Sequence, residues 1–450
     1  MPGSVLHHHG PGHPPGSSAD LVLAQLEAAR ATAHHGPSAR RPRSGTALCL
    51  SGGGFRAALF HLGAVRRLDE LGVLGRLRTI SAVSGGSIVA NLLAHPDLEW
   101  PDPAGPPARV GGLEELVAAP LRTLTARNVR TPALLARLRP EAWGRAGVTT
   151  TVLADELERA VPWWGTDLRE HRRGGPVILT GATETGYGVS WVFADARSVG
   201  PRGRVGDHRL GFAAPPPGLR IVDAVAASCA HPPWFEPFQL DGRELGLSGG
   251  VPDLDEPPEV RDAILRRLEL ADGGVYDNYG LEQVWSDHAT VLVSDGGAVF
   301  RGRAAGSPVG RLWHLLSIAA NGGQTTRLRW LRASFSAGIL DGATWSLETP
   351  NTVSPVPGHA PEAGLVDGYP AGLVAAINRV RTDLDAFTPD EQMVLERHGY
   401  VVSDASVRRH SPATVALDAP LQPPHPQVAD LDRARLALAR SARVTALGRR

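Results

Sequence analysis

The feature that most restricts the fold is a repeated pattern, in which a short apolar segment runs into a glycine-rich turn and then into a helix. Thr46–Leu50 runs into the turn Ser51–Gly54, and apolar residues at helical spacing follow over Phe55–Leu71. Leu77–Val83 repeats the pattern before the turn Ser84–Gly86. Further elements are predicted downstream: the strands Val177–Thr180, Val189–Phe193, Leu268–Ala271 and Thr290–Ser294, and the helices Ser87–Ala94 and Leu219–Ala230. This alternation predicts an α/β layered fold with a largely parallel sheet.

Length and composition indicate one large domain with extensions at both ends. The 450 residues are 42% hydrophobic, which is enough for a large buried core. Residues 1–44 are rich in His, Pro, Gly, Ser and Ala, and we predict a disordered tail there. A catalytic domain is predicted over residues 45–400. An extension over residues 401–450 is predicted to hold a Pro-rich linker at Asp418–Val428 and an Arg-rich helix at Asp430–Arg449. The few leucines of that helix favour a packed or solvated terminal helix over one that rests on a membrane.

Charge and cysteine content exclude several classes of protein. The formal net charge is zero, so nothing in the overall charge indicates binding to nucleic acid or to an anionic membrane. Cys49 and Cys229, the two cysteines, lie in apolar contexts and cannot form a disulfide framework, so we expect buried thiols. With no apolar leader and no uncharged apolar run of about 18 residues, we expect a cytoplasmic protein and leave peripheral contact with a membrane open.

The turn after the second strand has the character of a nucleophile elbow. Ser84 follows an apolar strand, precedes a helix, and is flanked two residues away on each side by Ala82 and Gly86. A nucleophile at such a turn needs small neighbours, because the chain reverses sharply to lift the hydroxyl clear of the sheet. Ala82 replaces the first glycine of the usual motif but is still small. An ordinary Gly/Ser turn with a serine cap is the alternative.

The turn after the first strand exposes consecutive backbone N–H groups. Gly52, Gly53 and Gly54 stand between strand and helix, where such groups and the helix dipole can hold an anion. A nucleotide-binding loop needs a lysine after the glycines, whereas Phe55 and Arg56 follow here. An oxyanion hole is therefore favoured over a phosphate site.

An aspartate that follows a third strand is the remaining candidate. Asp272 precedes Gly273 and Gly274, and two glycines allow another backbone to approach closely. The signal is weak by itself, because Asp295 precedes two glycines in the same way.

Together these segments resemble the patatin-like phospholipase family. Gly52–Arg56 matches its Gly-Gly-Gly-x-Arg motif, Ala226–Phe235 is similar to its Ala-Ser-x-Ala-x-Pro-x-x-Phe block, and Asp272–Asn278 is similar to its Asp-Gly-Gly block. The resemblance extends over about Thr46–Tyr400. It departs from the family at Ala82 and in poorly matched inserts at about Pro96–Gly147 and Leu240–Arg267.

The resemblance implies a three-layer α/β fold and a serine lipid acyl hydrolase that needs no cofactor and no metal. It implies that Ser84 attacks the ester carbonyl of an acyl lipid and that Asp272 is the base, with no catalytic histidine. Gly52, Gly53 and Gly54 would hold the oxyanion, and Arg56 would steady this loop or the phosphate of the substrate. Trp163–Trp164 and Val260–Leu270 are predicted either to line an entrance for acyl chains or to pack in the core.

Three other functions fit the same residues. An acyltransferase would use the same acyl-enzyme and pass the acyl group to an alcohol. A Ser-His-Asp esterase would need a histidine downstream of its acid, and six satisfy that order: His288, His314, His359, His398, His410 and His425. A non-catalytic lipid-binding module would be favoured by loss of the serine or the aspartate, but both are present.

Overall fold

The computed structural model describes residues 43–170, 174–195, 204–251, 256–297, 307–349 and 368–443, together with Thr445 and Gly448. The tail predicted for residues 1–44 lies outside this set, except for its last two residues. His359 also lies outside the described residues.

A mixed sheet of eleven strands forms the centre of the described chain. Five strands, in the order β11-β10-β1-β2-β3, are parallel, and this half carries both glycine-rich turns. The other half is antiparallel: β4, β5, β6 and β8 continue the sheet beyond β3, while β9 pairs with both β3 and β7. The strands are β1 Thr46–Leu50, β2 Leu77–Val83, β3 Val177–Glu184, β4 Val189–Ala194, β5 Arg204–Asp207, β6 Gly211–Ala213, β7 Phe238–Leu240, β8 Ser248–Gly249, β9 Leu268–Asp272, β10 Thr290–Asp295 and β11 Asp341–Ser346.

Helices of very different length surround this sheet. The described residues form α1 Gly54–Glu70, α2 Gly85–Leu92, α3 Ala119–Thr125, α4 Arg130–Ala136, α5 Val148–Ala160, α6 Ile221–Ser228, α7 Pro258–Arg266, α8 Pro308–Ser336, α9 Ala371–Ile377, α10 Pro389–His410 and α11 Leu431–Leu438. A π-helical turn, Glu114–Ala118, leads into α3. In the described part of the chain, no helix is both long enough and apolar enough to cross a membrane.

The alternation of side chains along β1 shows why the fold has three layers. Leu48 and Leu50 point into the larger core, which contains the apolar face of α1. Ala47 and Cys49 point to the opposite face and pack in a second core with Leu331 of α8. Because successive strand residues face opposite sides, a β1 that is buried throughout requires helices on both sides of the sheet. The predicted three-layer α/β fold is confirmed.

Helices α1 and α10 cross so closely that only glycine fits at the contact. A Cβ built at Gly399 would lie 1.9 Å from the carbonyl oxygen of Phe60, and one at Gly63 would lie 1.8 Å from that of Glu396. The two backbones therefore touch without side chains between them, and α10 becomes part of the layer that covers β1.

The division of the chain into a tail, a catalytic domain and an extension stays a prediction. Its boundary at residue 400 falls inside α10. Beyond α10, the Pro-rich segment Asp418–Val428 lies against α1, where the buried guanidinium of Arg67 donates to the carbonyl oxygens of Ala419 at 2.9 Å and Pro420 at 3.2 Å. The helix predicted over Asp430–Arg449 is shorter than expected, because α11 ends at Leu438.

Trp163–Trp164 and Val260–Leu270, which were predicted either to line an acyl-chain entrance or to pack in the core, contribute mainly to the core. Trp164 is fully buried, and its indole N–H donates to the carbonyl of Asn91 on α2 at 3.3 Å. Val260–Leu270 is divided between the exposed helix α7 and the buried strand β9. Core packing therefore accounts for Trp164 and for the strand half of Val260–Leu270.

Candidate active site

Ser84 occupies a strained turn between β2 and α2. Its backbone has φ 50° and ψ −121°, a region that residues with a Cβ adopt at a cost of about 1–3 kcal/mol. The Ser84 N–H donates to the Ser228 hydroxyl at 2.8 Å, and that hydroxyl donates to the carbonyl of Gly181 at 2.6 Å. Ser228 thus ties the turn to β3 and to the end of α6, which holds the strained conformation in place.

Gly85 and Gly86 must be glycines, because the backbone at and just before the first glycine-rich turn, Ser51–Gly54, passes directly against them. A Cβ at Gly86 would lie 2.2 Å from the carbonyl oxygen of Leu50, and a Cβ at Gly85 would lie 2.1 Å from that of Gly54. The glycines that follow Ser84 in the sequence therefore have a steric role: they leave room for the backbone of the first turn, which crosses over the second turn.

Asp272 ends β9 and is buried beside Ser84. Its N–H donates to the carbonyl of Ala230 at 3.0 Å, and one carboxylate oxygen accepts the Gly274 N–H at 2.7 Å. Burial raises the pKa of this carboxyl, while the charge of His231 and hydrogen bonds from the Ser84 hydroxyl and the Gly274 N–H oppose that rise. The fold thus brings together the side chains of two residues that lie far apart in sequence.

Asp295 makes the same local turn but has different neighbours. Its carboxylate accepts the Gly297 N–H at 2.9 Å, as Asp272 does with Gly274. Its other donors are the hydroxyls of Ser51 at 3.4 Å and Tyr279 at 3.3 Å. Asp295 therefore supports the first glycine-rich turn through its contact with Ser51, whereas Asp272 lies beside Ser84.

The three glycines of the predicted oxyanion loop differ in what their N–H groups do. Gly52 donates its N–H to the carbonyl of Asn278 at 3.0 Å, and a Cβ there would lie 3.1 Å from the Ser84 Cβ. Among the described residues, the N–H groups of Gly53 and Gly54 have no hydrogen-bond acceptor. Positive φ values of 144° and 60° allow this exposure. The donors available to a ligand are therefore those of Gly53 and Gly54.

Arg56 supports this loop from within the protein. It is 1% exposed, and its guanidinium donates to the carbonyl oxygens of Gly296, Gly297 and Val380 at 2.5–3.3 Å. The Phe55 N–H donates to the carbonyl of Asp383 at 3.0 Å. Segments from two later parts of the chain thus hold the loop, and of the two predicted roles for Arg56 the contacts favour loop support.

Four histidines near the sheet or downstream of the candidate acid are held by other partners. His61 contacts the Ser294 hydroxyl at 2.7 Å and the carbonyl of Ser51 at 2.9 Å, and burial lowers its pKa to about 4. The other three form equivalent structural contacts: His288 with Val284 and Thr79, His398 with Leu347, and His425 with Glu396. In the described part of the chain, none of these four contacts Ser84, and no group of three or more His, Cys, Asp and Glu side chains could hold a metal ion.

Several residues that shape the site had no assigned role in the sequence analysis. Ser228 and Asn278 lie inside motifs that were recognised, but their local sequence does not reveal the atoms they contact. Gln324 of α8 accepts the Asn278 N–H at 2.9 Å and donates to the carbonyl of Gly274 at 3.3 Å. Cys229 is buried, as predicted, and lies close enough to Asp272 for that carboxylate to add to the rise that burial causes in its thiol pKa.

The segment that carries these residues matches a known protein family. A model of the family described as patatin-like phospholipase matches residues 48–285, which is more than half of the chain and contains Gly52–Gly54, Ser84 and Asp272. No curated protein matches the chain.

Two solved structures are similar over most of the chain. Human GIVD cytosolic phospholipase A2 has a TM-score of 0.41 and 14% sequence identity, with 94% of this chain and 67% of that chain covered. VipD from Legionella pneumophila has a TM-score of 0.32 and 15% identity, with 82% of this chain and 67% of that chain covered.

Proposed function

We propose, from the premise that this chain belongs to the patatin-like phospholipase family, that it cleaves fatty-acyl esters of phospholipids or other acyl lipids with a Ser84–Asp272 dyad. Membership of the family implies a hydrolase that acts on lipid esters. The residues that perform the reaction are our assignment. The single observation that carries the assignment is the placement of the Ser84 hydroxyl, at a turn with positive φ, beside the buried Asp272 carboxylate, close enough to oppose the rise in that carboxyl's pKa.

In the proposed reaction, Ser84 attacks the ester carbonyl and Asp272 accepts the hydroxyl proton. A bond forms between the serine oxygen and the acyl carbon, and the alcohol leaves with the proton that Asp272 returns to it. Water then attacks the acyl-enzyme, Asp272 takes a proton from that water, and the fatty acid is released as Ser84 regains its hydrogen. Burial suits this role, because a raised pKa makes the carboxylate a stronger base.

The N–H groups of Gly53 and Gly54 would hold the negative charge that develops on the carbonyl oxygen. They need no reorientation during the reaction, because the loop is already fixed by its neighbours. Gly52 serves a different purpose in this proposal, since its N–H is bonded to the carbonyl of Asn278 and its missing side chain leaves room first for the Asn278 amide and then for Ser84. Arg56 keeps the loop in position and does not touch the substrate.

The test compares three variants on a soluble p-nitrophenyl ester and with a fluorophosphonate probe. Ser84→Ala removes the nucleophile, so we expect loss of turnover by several orders of magnitude and loss of labelling. Asp272→Asn keeps the shape and removes the basic oxygen, so we expect a comparable loss of turnover.

Asp295→Asn is the matched control, because this residue makes the same local turn, is partly buried and lacks contact with Ser84. We expect it to retain most of the activity, with circular dichroism showing that all three variants are folded. A folded Ser84→Ala protein that hydrolyses the ester at the wild-type rate would refute the nucleophile. An inactive Asp295→Asn beside an active Asp272→Asn would refute the base.

A further inference from the structure

A patch of exposed apolar and basic side chains lies on the connection between α4 and α5. Leu138 and Trp143 are each 72% exposed, and Leu135 is also exposed. Arg139 and Arg145 lie next to them in sequence and are exposed as well. These five residues are called the Trp143 patch below. Large apolar side chains that are exposed together mark an interaction surface, because their contact with water is unfavourable.

The connection that presents this patch is braced by Arg137. Its guanidinium donates to the carbonyl oxygens of Ala142 at 3.1 Å and Arg145 at 2.5 Å, and it pairs with Glu236 at 3.4 Å. The exposed side chains therefore stand on a turn closed by its own hydrogen bonds.

The patch is also strongly basic. Among the described residues, the guanidinium groups of Arg139 and Arg145 have no ion-pair or hydrogen-bond partner, in contrast to Arg122, Arg130 and Arg137 nearby. The span from position 127 to 147 has five arginines and one acidic residue, Glu141. Arg130 pairs with Asp383 and Arg137 with Glu236, so the remaining positive charge comes from Arg127, Arg139 and Arg145. Because the whole chain has a formal net charge of zero, this positive charge is a local property of the surface.

The patch is continuous with the proposed active site through the loop 231–236. Glu236, which pairs with Arg137, also accepts the Thr149 N–H at 3.2 Å at the start of α5. Trp234, two residues earlier, is 60% exposed. The same loop follows Ala230, whose carbonyl accepts the Asp272 N–H. An ion pair and a hydrogen bond thus join the connection that carries the Trp143 patch to the loop beside Asp272.

We propose that the Trp143 patch, together with Trp234, docks this protein on an anionic phospholipid bilayer, so that lipid reaches Ser84 from the side of the loop 231–236. The inference rests on the proposed function. The chemistry fits a bilayer surface, since tryptophan is enriched at the level of the headgroups and arginine is attracted to anionic lipid. Leucine side chains beside them would enter the boundary of the acyl chains.

The test is co-sedimentation of the full-length protein with two kinds of vesicle, phosphatidylcholine alone and phosphatidylcholine with about 30% phosphatidylserine, since anionic lipid supplies the attraction. We expect the wild type to bind the anionic vesicles more tightly. Leu138→Ser combined with Trp143→Ala should weaken binding to both vesicles by about tenfold or more. Arg139→Glu combined with Arg145→Glu should weaken binding to anionic vesicles by about 25-fold or more, because each arginine near such a surface contributes about fivefold.

Leu436→Ser is the matched control, because Leu436 is 78% exposed on α11 and lies outside the patch. It should bind vesicles like the wild type. All patch variants should hydrolyse a soluble p-nitrophenyl ester at the wild-type rate and lose activity only on vesicles. A wild-type protein that binds vesicles but does not cleave the soluble ester would refute the proposed function and leave the docking surface supported.

Three results would overturn the docking proposal. The first is a wild-type protein that does not bind anionic vesicles. The second is that the patch variants bind these vesicles as tightly as the wild type does. The third is a wild-type dimer in sedimentation equilibrium that dissociates in the Leu138→Ser, Trp143→Ala protein with no change in vesicle binding, which would assign the patch to a second copy of the chain.

Discussion

The hydroxyl of Ser228 should matter for both stability and turnover, although it does not touch the substrate. It is fully buried, accepts the N–H of Ser84 and donates to the carbonyl of Gly181. Ser228→Ala leaves the Ser84 N–H without this acceptor, which costs about 1–3 kcal/mol for a buried group. The lost bond to Gly181 adds about 0.5–1.5 kcal/mol. We therefore expect the free energy of unfolding to fall by about 1.5–4.5 kcal/mol.

The same change should lower kcat more than it raises KM. Ser84 adopts a strained backbone conformation, and the bond to Ser228 is one of the contacts that hold it there. A nucleophile that moves by about 1 Å can lose about 100-fold in rate, so we expect kcat on a soluble ester to fall by about 10- to 100-fold. Urea unfolding followed by circular dichroism gives the stability, and steady-state kinetics give kcat and KM.

Ser403→Ala provides the matched control for this experiment. Ser403 is also fully buried, but its hydroxyl donates only to the carbonyl of Tyr400 within α10, at 3.0 Å. Its loss leaves no backbone N–H without an acceptor, so we expect a cost below about 1 kcal/mol and unchanged kinetics. A Ser228→Ala protein whose unfolding free energy and kcat match those of Ser403→Ala would refute the reasoning.

Two further predictions concern the helix crossing and the proposed base. Gly399→Ala should lower the free energy of unfolding by about 3 kcal/mol, because its Cβ would collide with the backbone of α1. Gly372→Ala on α9, where a Cβ meets open space, should instead stabilise the protein by up to about 1 kcal/mol; equal effects in urea unfolding would contradict the packing argument. Because burial raises the pKa of Asp272 and only its ionised form accepts a proton, kcat/KM should fall on acidification at a pH above 3.8, while the protein is still folded. His231→Gln removes a charge that lowers this pKa, so the acid limb should move to higher pH, while His410→Gln should leave it in place; an unmoved limb in the His231 variant would show that this charge does not act on the base.

The parts of the fold that depend on local pattern could be predicted from the sequence. The bounds of β1 and β2 match the prediction, because each is a short apolar run that ends at a glycine-rich turn. α1 begins one residue early and ends one residue early, which is the usual uncertainty at helix ends. Asp430 does begin the last helix, since its carboxylate accepts the N–H groups of Asp432 and Arg433. The helix nevertheless ends early, and the carbonyl of Ser441 accepts the Arg381 N–H.

The parts that depend on pairing between distant segments could not be predicted. Asp272 and Asp295 share the same Asp-Gly-Gly turn, and without the resemblance of Asp272–Asn278 to the family's block only the pairing of their strands separates them. β9 pairs with β3, beside Ser84, while β10 pairs with β1, beneath the glycine-rich turn. In the same way, nothing in the sequence around Gly52 indicates that Asn278 occupies its N–H, because that contact forms between backbones 226 positions apart.

The supports of the glycine-rich turn give the protein an order of assembly during synthesis. The ribosome makes Ser51–Gly54 early, and Ser84 and Asp272 are both complete well before Val380 and Asp383 emerge. Gly296 and Gly297 accept from Arg56 earlier, whereas the last two residues, Val380 and Asp383, supply its remaining carbonyl acceptor and the acceptor of the Phe55 N–H. A growing chain therefore carries both members of the proposed dyad without a finished site for the oxyanion. The proposed hydrolase would therefore lack ester-cleaving activity until most of its chain had left the ribosome. A chain that ends before Val380 would not gain this activity.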